Sequence, residues 1–166
     1  MRRLVVLIGV FVVLALPAGA GALQRGPGDG TLVVDNSQGS ILLRVRGGII
    51  GRFDSGSIDV TTVVEGDGPA PVVKNCGDVA PARKRIVCAS ETEVRFRLIG
   101  GLYRIKIDAI GVDLSVVGRG SAILDGSLFT DQVGRYALNG GPYQSFPHAR
   151  TQLFLGWTPL ATLGSK

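Results

Sequence analysis

Two aspartates, Asp54 and Asp108, stand at matching places in a loosely duplicated stretch of chain. Residues 41–66 set against residues 94–120 place Leu43-Arg44-Val45-Arg46-Gly47-Gly48-Ile49-Ile50 beside Phe96-Arg97-Leu98-Ile99-Gly100-Gly101-Leu102-Tyr103. After a one-residue insertion, Asp54, Asp59, Val63 and Gly66 fall on Asp108, Asp113, Val117 and Gly120, making seven identical positions. Two carboxyls held together can share a proton and act as general acid and base, because like charges a few ångströms apart do not both ionise. The same aspartates, as Asp54/Asp59 and Asp108/Asp113, are hard oxygen ligands of the kind calcium takes. Their spacing of five fits neither an EF-hand nor a nonapeptide calcium repeat. Aspartates at turns or on a wet sheet face explain them, so no metal site and no cofactor is expected. The one histidine, His148, leaves a single candidate base with no Ser nucleophile tied to it, and reads as a surface loop residue.

Around the first aspartate, Phe53-Asp54-Ser55-Gly56-Ser57 resembles the active-site signature of aspartic proteases: an apolar residue, Asp, a hydroxyl residue, Gly and a second hydroxyl residue. That resemblance implies a secreted hydrolase with Asp54 as its catalytic carboxyl. The second copy reads Asp108-Ala109-Ile110 and lacks both the hydroxyl and the glycine, so the dyad would need Asp54 from each of two chains. Asp-Ser-Gly is also an ordinary turn sequence. Gly118-Arg119-Gly120 has neither the rest of a nucleotide-binding motif nor its helix.

Residues suited to binding are easier to find. Cys76 and Cys88 are the only cysteines and, in an exported chain, are expected to form a disulfide. Arg83, Lys84 and Arg85 would lie in the closed loop, where three adjacent cations can contact phosphate or carboxylate. Half of the ten aromatic residues, Tyr136, Tyr143, Phe146, Phe154 and Trp157, fall near the carboxyl end. Such rings either close a β-core or, as Tyr143 and Trp157 would, offer an amphipathic platform. The expected partner is an anionic cell-surface polymer or an envelope protein, and not nucleic acid.

The amino terminus sets the compartment. Met1-Arg2-Arg3, the apolar run Leu4 to Leu16, and Pro17-Ala18-Gly19-Ala20-Gly21-Ala22 have the three-part layout of a secretory leader, here residues 1–22. Membrane contact is expected only through this leader, if it is left uncleaved. Its loss removes Arg2 and Arg3 and lowers the formal charge from +5 to +3. Residues 23–166 suffice for a single domain with a hydrophobic core.

Within that domain the signals are those of strands. Thr31 to Val34, Ile41 to Arg46, Ser57 to Val64, Tyr103 to Asp108 and Val112 to Val116 alternate or are β-branched, and Gln152 to Trp157 reads as a last strand. Gly47-Gly48, Gly100-Gly101 and Asn139-Gly140-Gly141 are expected hairpin turns, since glycine supplies positive φ. Twenty-five glycines among short apolar runs argue against helix. The expectation is an all-β domain, an antiparallel sandwich or partly closed barrel built from two similar β-units, with residues 68–91 as an insertion. A short β-solenoid is the alternative, because Gly39, Gly48, Gly56 and Gly66 recur every eight to ten residues.

The layout, with stretches such as Gly111-Val112-Asp113-Leu114-Ser115-Val116-Val117-Gly118-Arg119-Gly120, resembles small secreted glycine-rich β-proteins of bacteria with GC-rich genomes. That likeness implies a secreted or cell-envelope location. The function expected is a non-enzymatic β-domain that binds a surface polymer or protein; the alternatives are a hydrolase using Asp54 and a self-assembling surface protein, since glycine-rich strands can pair through open edges.

Overall fold

The computed structural model describes residues 26–66, 68–76, 84–131 and 133–156. The leader, Arg83 and Trp157 lie outside the described residues. Eight strands form the fold: β1 (Gly30–Phe53), β2 (Ser55–Val64), β3 (Val72–Lys74), β4 (Arg85–Ser90), β5 (Val94–Asp125), β6 (Arg135–Leu138), β7 (Gln144–Ser145) and β8 (Thr151–Leu155). All pairings are antiparallel, which corrects the solenoid alternative, since the coils of a solenoid stack in parallel.

Two strands dominate. β5 pairs with β1 on both edges: Val45 faces Tyr103 on one side and Gly120 on the other, and Ile49 faces Leu98 and Val116. A strand can have one partner on both edges only if the sheet folds over. The result is a sandwich, not closed into a barrel. Its front layer runs β3, residues 94–98, 48–53, 112–117, 30–35, then β6 and β7; its back layer runs β4, β2, residues 102–109, 40–46, 119–125, then β8. β1 and β5 pass from one layer to the other at two corners, as strands that switch sheets do.

The expected Gly-Gly hairpins are corrected here. Gly47-Gly48 and Gly100-Gly101 lie inside continuous strands, at the corner where β1 and β5 change layer. Glycine is required there because backbones touch. A Cβ on Gly47 (φ 150°) would meet the Val117 carbonyl oxygen at 2.2 Å, and one on Gly118 (φ 153°) would meet that of Arg46 at 2.2 Å. The third candidate is a genuine hairpin: Gly141 N–H donates to the Leu138 carbonyl at 2.9 Å, and β6 and β7 pair across the turn.

Bulges keep one core supplied from both layers. In β5 the inward residues are Val94, Phe96 and Leu98, then Tyr103, Ile105, Ile107 and Ala109, then Val112, Leu114 and Val116. Each change of parity falls at a glycine, Gly100 or Gly111, because one extra residue turns every later side chain to the other face. The duplicated segments cross the layers in opposite order: residues 41–46 begin in the back layer and residues 94–98 in the front.

The Cys76–Cys88 disulfide is present, with Cα atoms 5.6 Å apart. Cys88 is buried in the core, so the bond ties the segment after β3 to the edge strand β4.

Two stability outcomes follow. Gly118→Ala is expected to cost at least about 2 kcal/mol in denaturant unfolding, through backbone strain and the carbonyl contact, whereas Gly140→Asn, at a turn with nothing near a Cβ, should change stability by less than about 1 kcal/mol. Replacing both cysteines by Ser should cost about 3 kcal/mol in the same measurement.

Candidate functional site

The outer face of the back layer collects cations from strands far apart in sequence. Alternation in Leu43-Arg44-Val45-Arg46 and Tyr103-Arg104-Ile105-Lys106 sends the apolar side chains into the core and the cations to water. Pairing then sets them side by side. Arg44 is directly opposite Arg104, and Arg46 is opposite Arg119. The row through Arg44 reads Arg85, Thr61, Arg104, Arg44, Ser121, Phe154 across six strand segments.

Some of these charges are matched. Arg85 makes a two-pronged contact with Asp59, 3.1 Å from Nε to Oδ1 and 2.5 Å from Nη2 to Oδ2. The Arg85 hydrogen bonds hold the Asp59 carboxyl below its ordinary range, and burial opposes them. Lys106 pairs with Asp108 at 2.6 Å. Arg119 reaches Asp29 at 3.2 Å and the Pro27 carbonyl, fastening the amino-terminal segment. Arg44, Arg46 and Arg104 have no carboxylate partner among the described residues.

The front layer handles a similar juxtaposition differently. Arg52 and Arg95 are also cross-strand neighbours, but Glu93 bridges them, 2.9 Å from Arg52 Nη1 and 2.6 Å from Arg95 Nε. Arg52 further binds Asp113, whose other oxygen accepts the Asn36 N–H at 2.8 Å and pins the β1 bulge. No such bridge stands between Arg44 and Arg104 among the described residues. Like charges directly opposite on a sheet destabilise it by up to about 1 kcal/mol.

Of the described residues expected to bind, Lys84 and Arg85 lie at β4 on the back layer and Tyr143 on the front layer. Lys84 is exposed just before β4, and its carbonyl accepts the Thr62 N–H at 2.8 Å. Arg85 lies on β4 itself, engaged with Asp59. Tyr143 is exposed on the front layer beneath the Arg135 guanidinium, 4.6 Å from the ring centre, and Arg135 also binds Asp35. Of the other aromatics, Tyr136 and Phe146 are core and Phe154 is half exposed. Asp54 sits at the bend between β1 and β2, its N–H donating to the Ile110 carbonyl at 3.0 Å. His148 is exposed between β7 and β8.

The arginine row was readable only in part. Alternating cations are visible in both segments, but the duplication aligns Arg44 with Arg97, which the fold places on the opposite layer from Arg44's true neighbour, Arg104. Comparison with known proteins adds no relative: no family model, curated protein or solved structure matches the chain.

The Arg85 contact gives a titration outcome. Because Asp59 is depressed in the fold, the stability it contributes is present above the ordinary carboxylate range and is lost as pH falls through its folded value. Arg85→Ala should raise the Asp59 midpoint, read by carboxyl NMR titration, and weaken the acid dependence of unfolding.

Proposed function

We propose that this chain is an exported, non-enzymatic β-domain that holds an anionic surface polymer against the outer face of its back layer. The observation that carries this reading is the opposed pair Arg44 and Arg104, which no carboxylate among the described residues bridges, with Arg46 beside it. Opposed guanidiniums cost stability when left alone, and a row of carboxylates or phosphates supplied by a ligand would remove that cost while gaining two-pronged contacts. Arginine suits this better than lysine, since its planar fork matches both anions and sheds water more readily. The leader-like amino terminus and the disulfide support an extracytoplasmic setting.

On this reading stability and binding trade against each other at one position. Arg104→Glu should raise the denaturation midpoint, by up to about 1 kcal/mol of stability, while abolishing binding. The triple change Arg44→Ala, Arg46→Ala, Arg104→Ala should weaken sedimentation with purified cell-wall sacculi roughly tenfold at low salt, and the binding of the unaltered protein should fall steeply as salt rises. Unchanged sedimentation of the triple variant would rule the face out.

A further inference from the structure

We infer that the polymer is an acidic glycan, one in which anionic groups alternate with sugar rings, and that Phe154 is its ring-binding residue. This deepens the reading above and rests on it. The row of guanidiniums does not end in another charge: beyond Arg44 come Ser121 and then Phe154 on β8, each the direct cross-strand partner of the one before. Phe154 is 52% exposed, although its neighbour Leu155 is fully buried. Arg44, Leu102, Arg119, Gly120, Ser121 and Phe154 line one shallow depression.

That depression is chemically divided. One end offers the Arg44 guanidinium, the middle a hydroxyl at Ser121, and the far end an apolar ring, while Arg119, on the same strand as Ser121, is held by Asp29 and the Pro27 carbonyl. A carboxylate or phosphate polymer without rings would use the first end and leave Phe154 in water. A neutral sugar would use the ring and leave the arginines unmatched. An acidic sugar uses all three: its charged group meets a guanidinium, a hydroxyl meets Ser121, and the apolar C–H face of the ring covers Phe154. Three strand spacings separate Arg104 from Phe154, roughly 14 Å at ~4.8 Å per strand, so the row accommodates more than one residue of such a chain. The charge on the glycan can be a carboxylate of a uronic acid or a phosphate ester; both present the same oxygens to arginine.

The test compares ring-bearing and ring-free polyanions on the full-length protein by titration calorimetry. The probes are polygalacturonate, a phosphorylated dextran, polyglutamate, polyphosphate, neutral dextran and oligo-dT. Polygalacturonate or phosphorylated dextran should bind most tightly, and which of the two leads tells carboxylate from phosphate. Phe154→Leu should weaken that binding about threefold to tenfold and leave polyglutamate and polyphosphate unchanged, whereas Phe154→Tyr should retain it. Melting curves equal to the unaltered protein's establish that both variants fold. Equal loss for all polyanions, no loss for any, or tightest binding to oligo-dT would overturn the glycan inference while leaving an anion-binding face standing. If instead Arg44→Ala and Arg104→Ala leave every polyanion's affinity unchanged, the face itself is refuted.

Discussion

The structure depends on one pairing: β5 lies against both edges of β1 over residues 40–52. A strand enclosed in this way has no free edge there, and its partner must bend out of one layer and into the other to reach both sides. Bending is possible only where backbone can approach backbone. That confines the corners to positions without a Cβ, and it makes Gly47 and Gly118 as much a part of the fold as the buried leucines and isoleucines. The bulges at Asn36, Gly100 and Gly111 are the counterpart of those bends, since each returns the apolar alternation to the inside after the strand has changed layer.

Local chemistry predicts the segments well and their connection poorly. Alternation marks Ile41 to Arg46 and Tyr103 to Asp108 as half-buried strands, and both are. It does not tell whether a glycine pair reverses the strand or lets it cross a corner, because both need the same residue. Gly47-Gly48 and Asn139-Gly140-Gly141 look alike in sequence, yet only the second is a turn. What separates them is the partner: Gly47 has Val117 and Gly118 against it, whereas nothing lies near Gly140. The disulfide was legible from the pairing of two cysteines in an export-type chain, because no long-range geometry was needed to propose it.

The same distinction explains the arginine face. Whether a side chain points outward is a local property, readable at Arg44 and Arg104 separately. Whether two outward cations meet depends on register between strands sixty residues apart. Among the described residues the fold sets like charges opposite each other at four places, Arg52/Arg95 and Lys74/Arg95 on the front layer and Arg44/Arg104 and Arg46/Arg119 on the back. It neutralises Arg52 and Arg95 with Glu93 on the front layer and leaves Arg44 and Arg104 facing each other on the back. Evenly charged surfaces arise without selection for binding, but an opposed pair at the centre of a sheet that no carboxylate among the described residues bridges is a local conflict of the kind expected at functional or strained sites.

The enclosed strand also orders events in time. β1 ends at Phe53, and the strand that must cover both its edges begins at Val94. While the chain is being made, the first long strand has no lasting partner, and none of the central pairing can form until β5 exists. Folding dominated by such distant contacts is slow, on the order of milliseconds to seconds. In a nascent chain of this design the first long strand stays without its main partner until β5 has been made, so the core closes only after residue 94 onward exists.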